Sequence, residues 1–270
     1  MSARLLNLTT KLIAALTVTM FGVVVGQIET QAQSGDIRRA ADGKPDLSGI
    51  WQAVGAAHWD IEPHAAYAAR VDETGAIGAA PGGLGIVDGG AIPYRAEAIT
   101  RKQENFETRR TEDPEAKCYL PGVPRATYMP FPFQIIQGTN KTLIAYEFAS
   151  ANRVIHMDPV PESPVDTWMG HSVGRWDGDT LVVDVTAFNG QTWFDRAGNH
   201  HSSALHVVER YTPVTPYHIN YEATIEDSNT FTRPWKITLP LYRRMEENMQ
   251  LLEFRCVEFS EELLYGHLRK

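Results

Sequence analysis

From Phe133 onward the chain alternates apolar and polar positions in short runs, with a period of two that marks half-buried β-strands. The runs are Phe133 to Gln137, Leu143 to Phe148, Arg153 to Met157, Ser172 to Trp176, Leu181 to Phe188, Ala204 to Tyr211, Ile219 to Ile225, Trp235 to Leu241 and Leu251 to Val257. Turn-forming residues separate many of them, notably Asp177-Gly178-Asp179 and Asp227-Ser228-Asn229. This spacing predicts a mainly β fold, an antiparallel meander that closes into a lipocalin-like barrel or a sandwich.

One apolar set runs through Leu181, Val183, Val185, Leu205, Val207, Tyr211, Tyr221, Ala223, Ile225, Ile237, Leu239, Leu241, Leu252, Phe254 and Cys256. The alternate set is polar, with Asp184, His206, Arg210, Glu222, Lys236 and Glu253 among its members. One face is therefore core, and the wet face is either the outside of a barrel or the wall of a polar cleft.

Residues 33–132 read differently, as an extended, loop-rich region with a single helix near 94–110, so the β domain is expected over 133–270. Tyr94 to Arg110 is dense in Ala, Glu, Lys, Gln and Arg, and Asp113-Pro114 should end its helix. Gly78 to Gly90 has few bulky side chains and no periodicity, which predicts a long surface loop or partial disorder. Its glycines lack the spacing of a nucleotide-binding loop. Pro45 to Trp51 looks like the entry to a first strand.

The first 32 residues carry Arg4 and Lys11, then an apolar run from Leu12 to Gly26 and small residues at Thr30 and Ala32. That order predicts a secretory signal peptide over 1–32, or a retained N-terminal anchor, and a periplasmic or extracellular setting. No stable membrane insertion is expected once the segment is removed. Export changes the reading of Cys118 and Cys256, which form either one disulfide to the last strand or two buried thiols.

The chain has 25 Lys plus Arg against 33 Asp plus Glu, with no basic block. Nucleic acid is therefore not an expected partner. The expected partner is a small hydrophobic or aromatic molecule.

Candidate chemistry concentrates between Trp193 and Arg210, where Asp195, Arg196, His200, His201, His206, Glu209 and Arg210 crowd together, with His171 upstream. Histidine beside a carboxylate suits proton transfer at neutral pH. The bland alternative is a polar surface loop. Parity places His201, Leu205, Val207, Glu209 and Tyr211 on the apolar face, so Glu209 must be paired, hydrogen-bonded or protonated. Glu209 is the leading acid or base by this reading, with His201 as its expected neighbour or an Arg as the structural alternative. His206 and Arg210 fall on the other face, across from Glu222.

His171, His201, His206, Asp195 and Glu209 are also the residue types that hold a divalent metal, although they follow no metal-ligand spacing. The cofactor is thus either absent or a divalent metal. Gly170-His171-Ser172-Val173-Gly174 matches Gly-x-Ser-x-Gly, but it leads into a strand and not into the helix a nucleophile elbow needs. Arg125 is either directed into a site or part of a surface ion pair. Gly49-Ile50-Trp51 is similar to the Gly-x-Trp of lipocalin-type barrels, in which the Trp closes one barrel end.

Several segments together resemble a large group of exported bacterial proteins usually called hypothetical. They are Pro45 to Trp51, Cys118 to Arg125, Gly170-His171-Ser172-x-Gly174-x-Trp176-x-Gly178-Asp179-Thr180-Leu181, Phe194-Asp195-Arg196-x-Gly198-Asn199-x-His201, and Phe231 to Trp235. The resemblance implies no settled activity. Two readings follow from the residues: an exported enzyme doing acid-base hydrolysis, elimination or hydration with Glu209, His201, His206, Asp195, His171 and Arg196, or a lipocalin-like carrier without catalysis.

Overall fold

A computed structural model describes residues 36–268, so the signal peptide expected over 1–32 lies outside the described residues. Nine strands form one closed barrel in sequence order: β1 (Gly49–Ala53), β2 (Phe133–Gln137), β3 (Lys141–Tyr146), β4 (Asn152–His156), β5 (His171–Asp177), β6 (Thr180–Thr186), β7 (His206–Thr215), β8 (His218–Glu226) and β9 (Trp235–Arg243). Closure comes from β1, which pairs antiparallel with both β2 and β9. Every junction is antiparallel except β4 with β5, a short parallel contact through Ile155↔Ser172 and His156↔Val173.

The alternation that defines the strands also fills the barrel. Phe133, Ile155, Val183, Val207, Tyr211, Tyr221, Ala223, Ile225, Ile237 and Leu241 point inward and are buried completely. Each fully buried large apolar side chain contributes roughly 1.5–3 kcal/mol, which makes this interior the main source of stability. Trp51 on β1 is anchored in this core: its indole Nε1 donates to Leu47 O at 2.9 Å, and the Arg243 guanidinium lies 4.3 Å from its ring.

One strand expectation changes. Leu251 to Val257 forms no strand, and Leu252 and Val257 are exposed, so the apolar spacing of Leu252, Phe254 and Cys256 does not mark a barrel face. Residues 244–268 instead cross the surface as an irregular segment with a short helix at Ser260–Tyr265. Alternation without a pairing partner does not make a strand. Gly78 to Gly90 is the long loop expected of it, tied down where Ala80 and Gly83 bridge Tyr67 and His64.

The expected helix is α1, Ala96–Glu112. It buries only Ala98 and Asn105, and its role is to hold a loop: Asn105 Nδ2 donates to Gly198 O at 3.2 Å. A Cβ at Gly198 would come within 2.7 Å of Lys102 O, and this residue has φ +85°, so glycine alone permits the approach.

Candidate functional site

Glu209 sits inside the barrel, as its parity requires, and is fully buried. Its neighbour is an arginine and not His201: Arg153 Nη2 lies 2.7 Å from Glu209 Oε2. The other carboxylate oxygen accepts from the Tyr211 hydroxyl at 2.9 Å and from the Tyr221 hydroxyl at 2.8 Å. Burial disfavours the Arg153 charge, yet the Glu209 carboxylate outweighs it and holds the guanidinium well above its ordinary range. Arg153 also donates to Ser172 Oγ at 3.4 Å, which places the serine of the Gly-x-Ser-x-Gly match inside the barrel and within a strand. Both Glu209 oxygens thus have close partners within the barrel, while Arg153 Nε is buried without a hydrogen-bond partner.

His206 and Arg210 lie on the outer face. His206 Nε2 is 3.1 Å from Asp184, and Arg210 bonds Asp177 at 3.0 Å. His171, at the start of β5, has its ring 5.3 Å from that of His156. His206 and Arg210 belong to the wet outer side of the barrel, whereas His171 is half-buried and its Nε2 is shielded from solvent without a hydrogen-bond partner.

Asp195 and His201 fall in the loop between β6 and β7, which covers one barrel end. Asp195 is fully buried and organises that loop, accepting from the backbone N–H groups of Ile61, Ala197 and Asn199 and from Asn199 Nδ2. Asn199 Nδ2 also reaches Asp60 at 3.3 Å, so two carboxylates share one amide. Burial, then the Asp60 charge, pushes Asp195 up to about 7. His201 bonds Thr192 Oγ1 at 2.6 Å and Ser202 O at 2.8 Å, and burial lowers its pKa. Nδ1 must donate to that carbonyl, which leaves Nε2 to accept from the threonine.

The six expected site residues therefore do not converge. Among the described residues, no three His, Cys, Asp or Glu side chains are grouped as a metal site, and His171, His201, His206, Asp195 and Glu209 do not share one. Arg196 belongs elsewhere, and it leads to a second group of buried charges.

Arg196 reaches from the same loop to Glu115, donating through Nε at 2.9 Å and Nη2 at 2.5 Å. Arg125 joins the same carboxylate at 2.6 Å and Asp113 at 3.2 Å; it is buried, contrary to a surface ion pair. Arg70 contacts Asp113 at 3.5 Å and Glu115 at 3.6 Å. From the C-terminal segment Glu261 Oε1 completes the cluster, 3.1 Å from Arg70 and 3.3 Å from Arg196. Burial opposes the Glu115 charge, but Arg196, Arg125 and Arg70 hold its carboxyl far below the usual range.

Over this cluster lies a cleft of about 370 Å³. Trp59, Phe131, Phe148 and Phe254 give it an aromatic wall; His58, Arg70, Glu115, Arg196 and Glu261 give it a polar one. The Arg196 guanidinium stacks 4.4 Å from the Trp59 ring. His58 is 8% exposed, and its Nδ1 has no hydrogen-bond partner. Burial and then the Arg196 charge lower its pKa to about 4, so the ring is neutral at pH 7.

The roof is the 244–268 segment. The Cys118–Cys256 disulfide pins it, Phe254 packs 5.2 Å from Phe131 and 4.9 Å from Phe148, and Phe259 N donates to Ala116 O. The sequence reading included Arg196 and Arg125 but missed His58, Arg70 and Glu115. They stand in aperiodic loops far apart in the chain, and only the fold brings them together.

No family model, no curated protein and no solved structure matches this chain.

Proposed function

We propose that this protein is an exported enzyme that performs acid-base chemistry on a small aromatic or apolar molecule in the cleft above the Arg70–Glu115–Arg196 cluster. The observation that carries the reading is the pairing, in one cleft, of an aromatic wall with a buried neutral histidine whose Nδ1 is unpartnered. Ligand sites are typically concave, mostly apolar and furnished with a few fixed polar groups. A neutral imidazole can accept a proton from a bound substrate or from a water, and return it, which is the need of hydrolysis, elimination or hydration. The surrounding guanidinium groups are held by ion pairs with the buried Asp113 and Glu115, so they present an oriented field to a bound molecule. The disulfide supports a setting outside the reducing cytoplasm.

The carrier reading has a different home. Its natural cavity is the barrel, but Trp51, Phe133, Tyr146, Arg153, Glu209, Tyr211 and Tyr221 occupy the inward positions there. A carrier would therefore use the same outer cleft.

Ligand-observed NMR with a library of small aromatic compounds, followed by mass spectrometry of the mixtures, tests both. Binding lost in Trp59→Ala, together with turnover lost in His58→Gln while binding persists, is the expected result. Binding without turnover leaves the carrier; binding unaffected by Trp59→Ala overturns the cleft.

A further inference from the structure

The ion cluster beneath the cleft is completed by a carboxylate that is not buried. Three arginine side chains, Arg70, Arg125 and Arg196, are 1–14% exposed, and Asp113 and Glu115, which pair with them, are 0–7% exposed. Glu261 also pairs with them, but its side chain is 34% exposed and stands on a one-and-a-half-turn helix with Leu263 and Leu264 turned to solvent. Its Oε1 bridges Arg70 and Arg196 on the cleft's polar wall. Arg70 and Arg196 are largely buried charges, and losing an anionic partner is costly for them unless another anion takes its place. Nothing requires that the anion be the protein's own.

We infer that the cleft takes an anionic ligand, an aromatic or apolar carboxylate, whose carboxylate replaces Glu261 between Arg70 and Arg196 while its apolar body lies on Trp59 and the phenylalanine wall. The inference rests on the small-molecule reading of the cleft and adds the ligand's charge. Guanidinium groups suit the task, since they present paired donors to a carboxylate. Glu261 is then an internal stand-in that pairs with Arg70 and Arg196 when the cleft is empty. The Cys118–Cys256 bond tethers its segment five residues upstream, so the segment can lift without leaving. Displacement by a ligand carboxylate leaves both arginines paired.

The test is titration of the intact protein with 2-naphthoate and with 2-naphthol, matched in ring and differing in charge at neutral pH, followed by calorimetry. The wild-type protein is expected to bind 2-naphthoate at least tenfold more tightly than 2-naphthol. Glu261→Gln removes the competing carboxylate, and a several-fold gain in 2-naphthoate affinity is expected with 2-naphthol changed less than twofold. Equal affinities for the two probes in the wild type overturn the anionic seat and leave the cleft standing. A variant that binds 2-naphthoate as the wild type does overturns displacement of Glu261. Failure of both probes to bind either protein overturns the cleft itself. The wild-type comparison needs no variant, so misfolding of Glu261→Gln would not rescue the idea.

Discussion

Arg153 and Glu209 meet at 2.7 Å across the barrel interior, one from β4 and the other from β7, with the Tyr211 and Tyr221 hydroxyls completing the carboxylate's shell. Breaking a buried pair by removing one partner leaves the other charge uncompensated and costs about 3–5 kcal/mol. Glu209→Gln is therefore expected to lose stability of that order in urea unfolding, with any ligand binding at the outer cleft retained in the folded fraction. Arg153→Met combined with Glu209→Leu should be less damaging than either single change. A loss below about 1 kcal/mol for Glu209→Gln would contradict a buried Arg153–Glu209 pair that contributes to stability.

The outer face should behave oppositely. His206 and Arg210 make half-exposed pairs with Asp184 and Asp177. Exposed pairs contribute about 0–1 kcal/mol. His206→Ala and Arg210→Ala should each leave the thermal midpoint nearly unchanged, and neither should alter turnover. A large effect on turnover would return the catalytic role to this face.

Acid should destabilise the fold through its histidines. In the folded protein His58 and His200 stay neutral down to about pH 4, because burial lowers both. The unfolded chain protonates them near 6.5. Between these values the unfolded state binds more protons, so stability rises with pH and is lost as pH falls. Asp195, raised to about 7, acts with the opposite sign: the folded state keeps its proton, and that contribution weakens as pH rises from about 4 to 7. His58→Gln is expected to flatten the histidine part by up to about 3 kcal/mol across pH 4 to 6.5. Urea midpoints at several pH values read this directly; an unchanged slope would mean that His58 is protonated in the folded state.

Reduction of Cys118–Cys256 opens a loop closed over a sequence separation of 138 residues. The chain-entropy account sets the stabilisation at roughly 4–5 kcal/mol at most. Melting with and without reductant should show a clear drop in midpoint, matched by Cys256→Ser. The drop should come with release of residues 244–268, seen as new proteolytic cleavage there. Melting that ignores the reductant would mean that the Phe254 and Phe259 contacts alone hold the segment.

The barrel was legible because its signal is local. Alternation over five to ten residues states which side chains face inward, and eight of the expected runs coincide with strands β2 to β9 within a few residues. Parity alone placed Glu209 among Val207 and Tyr211. It could not name Arg153, since partners across a barrel depend on register and shear, which no single run encodes. His201 was misassigned for a related reason: it precedes the strand, and strand parity does not extend into the loop that holds it against Thr192. The cleft was the least legible part. Its polar residues come from five segments, from His58 to Glu261, none with a period, and their chemistry exists only after the Cys118–Cys256 bond and the ion pairs bring them together. Arg125 shows the limit well, as its setting of prolines gave no hint that its guanidinium is 1% exposed.

The parallel contact of β4 with β5 follows from counting. Strand directions that alternate around a ring close without conflict only when their number is even; nine strands joined in order must place two neighbours the same way. Here the conflict is resolved at Ile155↔Ser172 and His156↔Val173, after residues 157–170 carry the chain back to the end it left. With two register pairs, against seven between β5 and β6, this seam is the least hydrogen-bonded join in the ring. It is where the cylinder would unzip first, and its amides should exchange with deuterium ahead of those around it.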